Sequence, residues 1–323
     1  MLKHRQMRQF ARFVWFVLVY DVLVVLWGAY VRVSFSGDGC GAHWPLCNGE
    51  IVPHAQQTKT LVELAHRVTS GGSLVLAIVM LVWAIRAFPS GSDVRRWSGW
   101  TLVFTASEAL IGAVIVLLRL VAHDKSLVRG VSTSLHLTNT FMLLASVAIT
   151  SRVATGAPAI AFRRRGWLGV LAAGAIFATI FIAATGSIAA LGDTLYPSHS
   201  VAEGLAQDVA PSAPLFIRLR SLHPFVAVFG GVMLLALASF APAARPTRDV
   251  KLLARALSVA YFVQVALGLI NIRFLAPAGL QLLHLLSADV VWVLLVLLAT
   301  AALGEAAPIS SPKAALAGSP PAP

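Results

Sequence analysis

The stretch LQLLHLLSADVVWVLLVLLATAAL, residues 280–303, decides the class of fold. It contains no lysine or arginine, and it is longer than the roughly 20 mostly apolar residues that a helix needs to cross the hydrocarbon core of a bilayer. Seven similar stretches precede it, separated by polar or charged segments. The eight predicted spans are residues 13–33, 61–86, 99–121, 130–151, 166–190, 216–240, 252–274 and 280–303.

The composition indicates a lipid environment. Of the 323 residues, 58% are hydrophobic and 12% are charged, and a water-soluble domain of this size could not cover so much apolar surface with polar groups. The sequence therefore predicts an all-α integral membrane protein. Its basic start resembles a signal peptide, but the apolar run is too long and no small-residue cleavage site follows, so we expect it to be retained as the first span.

The net charge of +12 is explained by membrane orientation. Most lysines and arginines fall at the termini or in alternate loops, and loops with excess positive charge stay in the cytoplasm. This predicts a multi-pass protein of the cell membrane with cytoplasmic termini, residues 1–12 and 304–323, the latter a disordered tail. We expect lipid rather than nucleic acid as the partner of this charge. The loops predicted to lie outside are residues 36–60, 120–129, 191–215 and 275–279.

The chain contains a weak internal repeat. Residues 13–155 and 156–303 each hold four spans, and short matching segments occur in the same order in both. An even number of spans gives the two halves the same topology, related by an axis along the membrane normal. We therefore expect two pseudo-symmetric four-helix bundles. The matched residues are Gly28 with Gly186, His66 with His223, Glu108 with Gln264, Gly112 with Gly268, and His136 with His284.

One histidine lies on every even-numbered span, about one to two turns inside its outer end. Two even spans of one half can face each other, so their imidazoles could ligate one haem iron axially. Hydrogen bonding of each histidine to a neighbouring carbonyl or hydroxyl is the alternative. Zinc or copper would need three or four converging ligands, whereas each half supplies two. The predicted iron ligands are His66 with His136 in the first half and His223 with His284 in the second.

A carboxylate accompanies the first histidine pair. Glu63 precedes His66 by one helical turn, so both side chains are expected to point toward the same cavity. There the carboxylate could move protons or stabilise positive charge, and a helix-end carboxylate near the N-terminal dipole is the alternative. Arg67 and Arg32, near the outer mouth, could hold haem propionates or reach the membrane interface. Arg220 occupies the place of Glu63 in the second half.

Cys40 and Cys47 are the two cysteines of the chain, and both fall in the first loop predicted to lie outside. An oxidising exterior favours a disulfide, and the glycine and proline between the cysteines favour the tight turn that it needs. Free thiols are the alternative. A structural zinc is disfavoured, because two thiolates and a loop histidine leave it short of ligands.

Other polar residues inside the spans are expected to form interhelical hydrogen bonds, and we assign them no chemistry. Pro224 directly follows His223 and is expected to kink the sixth span. It stands where the first half has Arg67, so the second half lacks a matching propionate anchor. The interhelical polar residues are Asp21, Glu108, Asn139, Gln264, Asn271 and Asp289.

Three features together resemble haem A synthase. The first is the loop sequence GDGCG at 37–41 followed by WPLC at 44–47, the second is the run ELAHR at 63–67, and the third is the histidine on every even span. The resemblance covers residues 13–303. It implies an oxidoreductase that converts the C8 methyl group of haem O to a formyl group, giving haem A for terminal oxidases.

The same resemblance implies roles for the two halves. The C-terminal half would hold a haem B cofactor, the N-terminal half would bind haem O as substrate, and haem O synthase would supply that substrate. The electron acceptor and the oligomeric state are left open. The implied catalytic residues are Glu63, His66 and His136, the cofactor-binding residues are His223, His284 and Arg67, and the disulfide joins Cys40 and Cys47.

Two other functions compete with this one. A di-haem electron-transfer protein, linked to quinol in the manner of a cytochrome b, would use the same histidine pairs, but transmembrane transfer usually places haems near opposite faces. All four histidines here are predicted near the outer face. A transporter of haem or another amphipathic molecule would suit a repeated membrane protein, but it would not explain the paired histidines.

Overall fold

The computed structural model describes residues 2–51, 53, 57–157 and 166–304. Within these ranges the chain is helical apart from its turns and loops, and no β-strand is present among them. The ten helices are α1 (Leu2–Val33), α2 (Thr58–Ala87), α3 (Asp93–Leu117), α4 (Leu127–Ala154), α5 (Gly166–Leu195), α6 (Val201–Val209), α7 (Leu215–Arg220), α8 (Leu222–Ala244), α9 (Arg248–Arg273) and α10 (Ala278–Leu303).

Eight helical segments of the described chain are long and apolar enough to cross a membrane. Helices α1 to α5, α9 and α10 each provide one segment, and α7 with α8 provides the sixth. The predicted class, an all-α integral membrane protein with eight spans, is therefore confirmed. Large apolar side chains such as Phe16, Val170 and Phe229 are exposed on the outer surface, as expected where lipid rather than water surrounds the helices.

The first span begins earlier than its apolar core. Helix α1 starts at Leu2, so most of the segment predicted as a cytoplasmic N-terminus, residues 1–12, belongs to the helix. Arg5, Arg8 and Arg12 do not interrupt it, because arginine is a good helix former. Hydropathy marks only the part of a helix that lies in the hydrocarbon, and a helix can extend beyond that part.

The third span lies closer to the N-terminus than the predicted residues 99–121. Helix α3 covers Asp93–Leu117 because the Ser92 side chain accepts a hydrogen bond from the Arg95 amide and caps its start. Shortly after its end, Arg119 adopts a positive φ of 56°, which is incompatible with continuing the helix. The cap and the turn, rather than apolar character, set these bounds.

The loop predicted over residues 191–215 contains the short helix α6. The Ser200 hydroxyl accepts a hydrogen bond from the Glu203 amide at 3.1 Å, and Glu203 Oε2 accepts one from the His199 amide at 2.7 Å. This arrangement follows the S-x-x-E pattern of a helix start. Hydropathy does not detect such a signal, and the prediction missed the helix for that reason.

The sixth span is broken at Ser221, three residues before Pro224, where a kink was predicted. Helix α7 ends at Arg220 and α8 begins at Leu222. A continuous helix would need the Pro224 N–H to bond the Arg220 carbonyl, and proline has no N–H. Within the first turn of α8 that N–H is not required, so the proline is accommodated there.

Helix contacts within the described chain are consistent with two four-helix bundles. In the first, neighbouring helices from α1 to α4 pack together and α4 also packs on α1, while α5, α8, α9 and α10 form the second in the same way. The bundles meet where α4 packs on α5 and α10, and where α1 packs on α10. The predicted boundary near residue 155 follows the end of α4. The predicted tail beyond Gly304 lies outside the described residues.

The apolar core lies at one end of the spans. We call the end at which α1, α3, α5 and α9 begin the basic end, and the opposite end the histidine end. Buried side chains such as Val14, Leu144 and Leu295 are concentrated toward the basic end. There Trp292 of α10 donates its indole N–H to the Phe141 carbonyl at 2.6 Å and stacks on the Phe141 ring at 5.0 Å. These contacts join the two bundles.

Candidate functional site: two histidine pairs

Each of the four predicted histidines packs its ring against a glycine of the preceding odd-numbered span. A Cβ atom on these glycines would crowd the imidazole, so the close approach requires glycine at the tightest positions. All four histidine side chains are half-buried at the histidine end. The added Cβ would lie 2.9 Å from His66 Cε1 at Gly28, 4.0 Å from His136 Cε1 at Gly112, 3.0 Å from His223 Cε1 at Gly186 and 3.3 Å from His284 Cε1 at Gly268.

The histidines associate within halves. His66 lies within electrostatic range of His136, and His223 lies within electrostatic range of His284. The described chain contains no group of three or more His, Cys, Asp or Glu side chains suited to a metal ion. Two imidazoles per half, each packed against a glycine, are a donor set of the kind that ligates haem iron.

In the first half, one histidine contacts a carboxyl group. His136 Nδ1 lies 2.9 Å from Glu108 Oε1. Glu108 also accepts hydrogen bonds from the Thr140 hydroxyl and from Asn139 Nδ2, each at 2.5 Å. The sequence had assigned Glu108 no chemistry. The missed signal was its place one turn before Gly112, on the helix face that meets His136.

In the second half, the histidines contact neutral groups. His223 Nδ1 lies 3.1 Å from the Thr185 hydroxyl, and His284 Nε2 lies 3.2 Å from Gln264 Nε2. Thr185 was not identified from the sequence, although it directly precedes Gly186. Carboxyl groups thus contact the described histidine rings only in the first half.

Glu63 lies against the cysteine loop. It is buried, its Oε2 accepts a hydrogen bond from the Cys40 amide at 2.8 Å, and its Oε1 accepts from Arg67 Nε at 3.1 Å and Nη2 at 2.5 Å. Arg67 Nη1 in turn donates to the carbonyls of His43 and Leu46 at 2.5 and 2.6 Å. Glu63 and Arg67 therefore hold the loop over the start of α2.

The loop itself is closed by the predicted disulfide between Cys40 and Cys47, whose Cα atoms lie 4.4 Å apart. The alternatives considered from the sequence, free thiols and a zinc site, are therefore not realised. Gly39 packs against the backbone of Lys59 and Thr60, and a Cβ on Gly39 would lie 2.5 Å from the Lys59 carbonyl carbon. The loop is thus seated tightly on the helix that carries Glu63.

Arg32 does not lie at the mouth of the first half, as the sequence suggested. Its Nη1 donates to the Ala190 carbonyl at 2.8 Å and to the Thr194 hydroxyl at 2.6 Å, and its Nη2 donates to Gln281 Oε1 at 3.0 Å. These acceptors belong to α5 and α10. Arg32 therefore joins the two bundles one turn from His284, and sequence spacing gave no information about a contact between halves.

Arg220 stands at the position that matches Glu63 and carries the opposite charge. It pairs with Asp193 at 3.0 Å and with Asp208 at 2.7 Å, and it donates to the Gly204 carbonyl at 3.3 Å. The residue thus ties α7 to α5 and α6. In both halves an arginine fixes a loop at the histidine end, but the partner carboxylates come from different places in the repeat.

The interhelical polar residues behave in two ways. Asn139 and Gln264 contact groups on neighbouring spans as predicted, and Asn271 Nδ2 donates to the Leu280 carbonyl of α10 at 3.4 Å. Asp289 does not follow the prediction. It is buried, and neither of its carboxyl oxygens has a hydrogen-bond partner among the described residues.

These features define a multi-pass membrane protein with a pair of histidines at the same end of each half. The model of the COX15-CtaA family, described as cytochrome oxidase assembly protein, matches residues 11–296. The chain therefore belongs to this family.

The curated relatives that the chain matches carry two different names. Proteins from two strains of Thermus thermophilus, each named protoheme IX farnesyltransferase, are 41% identical over 297 residues, which is 92% of this chain and 49% of theirs. Heme A synthase of Symbiobacterium thermophilum is 43% identical over 96 residues, 30% of this chain and 31% of that protein. The heme A synthase of Bacillus mycoides is 36% identical over 111 residues, 34% of this chain and 36% of that protein. The chain thus spans about half the length, or less, of the curated relatives it matches.

Proposed function

We propose that the chain is a haem A synthase, which oxidises the C8 methyl group of haem O to a formyl group and so supplies haem A to terminal oxidases. One observation carries the proposal: a member of this family places two separate histidine pairs at the same end of its spans. One pair would hold the substrate and the other a haem cofactor. The proposal gives residues 13–155 and 156–303 these two roles.

His223 and His284 are proposed to hold a haem B cofactor. When bound, haem supplies one-electron redox chemistry that no ordinary side chain provides. The Thr185 hydroxyl beside His223 Nδ1 orients one ring and leaves its Nε2 for iron. Neutral partners suit a cofactor that carries electrons and exchanges no protons with its surroundings.

His66 and His136 are proposed to hold haem O, with Glu63 as the acceptor of a proton from the reacting methyl group. Three donors already bond the Glu63 carboxyl group, two at Oε1 and one at Oε2. A carboxylate offers about four acceptor sites, so Oε2 keeps capacity for a further proton. Glu63 also lies one helical turn from His66, on the side toward the loop.

Arg67 is proposed to position Glu63 and to contact a haem propionate. A guanidinium group has five N–H donors. Nε and Nη2 donate to Glu63, and Nη1 donates to two loop carbonyls, so one N–H on Nη2 is left for a propionate oxygen. We therefore expect the positioning role to be the larger of the two.

The supply of substrate and the removal of electrons are assigned to other proteins. A relative named for the farnesylation of protohaem overlaps this chain over half of its own length, which supports haem O delivery by a haem O synthase. The formyl oxygen is supplied by water, and the oxidation releases electrons and protons, so an external electron acceptor is required. We further propose that the basic end faces the cytoplasm of a cell membrane and the histidine end faces outward, because most basic side chains lie at the former.

A di-haem electron-transfer protein is the second candidate, since it would use the same ligands. The common depth of the four histidines disfavours it, because transfer across the membrane requires haems near both faces. A haem transporter would leave the two pairs unexplained.

Co-expression with a haem O producer tests the proposal. Haems are extracted from the cells and separated by chromatography, and we expect haem A to appear with the parent chain. The matched control is the same strain carrying the His66→Ala variant, which should accumulate haem O. Absence of haem A from the parent, with haem still bound to the purified protein, would favour electron transfer instead.

A further inference from the structure

Glu108 and Gln264 occupy matching places in the two halves, yet they contact their histidines differently. Each residue lies four positions before a glycine, Gly112 or Gly268, that packs on the histidine of the next span. Both side chains therefore emerge on the helix face that meets that histidine. At this place the two halves therefore differ by a carboxyl group against an amide.

Glu108 contacts three polar groups, of which two donate hydrogen bonds to it. His136 Nδ1 lies 2.9 Å from Oε1, and the Thr140 hydroxyl and Asn139 amide occupy Oε1 and Oε2. Asn139 is itself fixed, because Nδ2 also donates to the Phe104 carbonyl at 2.9 Å and Oδ1 accepts from Ser107 at 2.7 Å. The carboxyl group that faces His136 is therefore held by a network between α3 and α4.

Gln264 does not reproduce this network. Its Nε2 lies 3.2 Å from Nε2 of His284 rather than from Nδ1. Gln264 Oε1 is buried without a hydrogen-bond partner among the described residues. The Nδ1 atoms of His136 and His284 also lack a hydrogen bond there, but only His136 Nδ1 has a carboxyl oxygen within ion-pair distance, at 2.9 Å. An amide at this place thus neither supports the second ring nitrogen nor carries a negative charge.

We propose that Glu108 is a positioning residue for His136, which it holds through Nδ1 so that Nε2 is presented to iron as an unusually electron-rich ligand. This inference rests on the proposed haem site of the first half and names the group that distinguishes it from the second. A carboxyl group on the outer nitrogen of a ligating imidazole fixes the tautomer and raises its basicity. A more basic ligand stabilises oxidised iron, so the first haem has the lower reduction potential.

The test compares acceptor removal in the two halves with near-isosteric variants. Glu108→Gln is made in a His284→Ala background, so that haem is retained only in the first half, and Thr185→Val is made in a His66→Ala background, so that haem is retained only in the second. Each full-length protein is purified and its haem is titrated potentiometrically and examined by electron paramagnetic resonance. We expect Glu108→Gln to change the ratio of oxidised to reduced haem about tenfold, which is a rise of about 59 mV in the reduction potential of the first haem for one electron. We also expect it to shift the low-spin g values.

Thr185→Val is expected to leave the reduction potential and the g values of the second haem close to their starting values, because it removes a neutral partner. Glu108→Gln in the otherwise unaltered chain should leave the second haem spectrum unchanged, which shows that the fold persists. If Glu108→Gln leaves the g values and the reduction potential of the first haem unchanged, this inference is overturned. The proposed haem A synthase function is not affected by that outcome. A His284→Ala protein that binds no haem at all would instead overturn the proposed first site.

Discussion

The first half has carboxyl groups beside its histidines, whereas those of the second half lie at helix ends or, at Asp289, buried farther along a span. Glu63 lies one helical turn before His66, and Glu108 contacts His136. In the second half Asp193 and Asp208 pair with Arg220 at the helix ends. The histidine pairs and their glycines are retained in both.

This difference teaches how one scaffold can serve two purposes. A site that performs proton-coupled oxidation needs acceptor groups near the reacting carbon. A site that only carries electrons is better surrounded by neutral groups, because they do not take up protons when the charge of the iron changes. Under the proposed function the two halves share their histidines and differ in the acidic residues around them.

Removal of a histidine is expected to give the largest effect. His223→Ala or His284→Ala should abolish binding of haem B, while His136→Ala should retain it and lose haem bound to the first half, because a bis-histidine site has no spare ligand. Absorbance spectra and extracted haem of the purified variants measure this. His199→Ala, which removes an exposed histidine, is the control. Full haem B content in both second-half variants would remove the distinction between the halves.

Glu63→Gln is expected to lower haem A formation by about a hundredfold or more, in the range typical of a lost proton acceptor, while the protein keeps its haem. Asp38→Asn, which neutralises an exposed carboxylate of the same loop, should change the rate little. Both are measured by haem extraction from cells that produce haem O. Equal rates for the two variants would mean that Glu63 only holds the loop.

The disulfide belongs to the first half alone, and its removal should affect that half alone. Cys40→Ser with Cys47→Ser is expected to lower the stability of the loop by on the order of 2 kcal/mol and to loosen the Cys40 amide on Glu63. Haem A formation should fall several-fold with the second-half haem spectrum unchanged. Thermal unfolding of the detergent-solubilised variant and its haem content are measured together. A change in the second-half spectrum would show that the loop stabilises both bundles.

The glycines allow a smaller, symmetric test. Gly28→Ala should displace the His66 ring, and Gly186→Ala should displace the ring of His223, each by a few tenths of an ångström. We expect changes of about tenfold at most in the properties of the corresponding haem. Gly71→Ala and Gly174→Ala introduce the same methyl group in open space and are the controls. If Gly28→Ala alters the second haem, the halves are coupled more tightly than the pairing suggests.

The sequence was sufficient for the topology because lipid imposes a simple rule on every span. It also placed the four histidines, because a repeated polar residue at one depth stands out from an apolar background. The bounds of α3 and the presence of α6 were not found, since they depend on the caps Ser92 and Ser200. Hydropathy has no term for a single side-chain hydrogen bond.

The contacts of the charged residues were harder to foresee. Arg32 follows the predicted first-half motif, yet its three acceptors lie on α5 and α10. Glu63 was expected to face the cavity, and the hydrogen bond that it accepts from the Cys40 amide of the loop was not foreseen. A long side chain at a helix end can reach several neighbours, and helix periodicity specifies its direction but not the partner on another helix.

The concentration of apolar packing at the basic end has a consequence for maturation. Helices whose apolar core lies near one membrane surface can be assembled by the insertion machinery before any porphyrin arrives, because that core contains none of the four histidines. At the other surface, small lateral displacements of neighbouring helices would open a slot to the bilayer. A flat, apolar substrate dissolved in the lipid could then enter laterally between the helices and leave as product without unfolding of the chain.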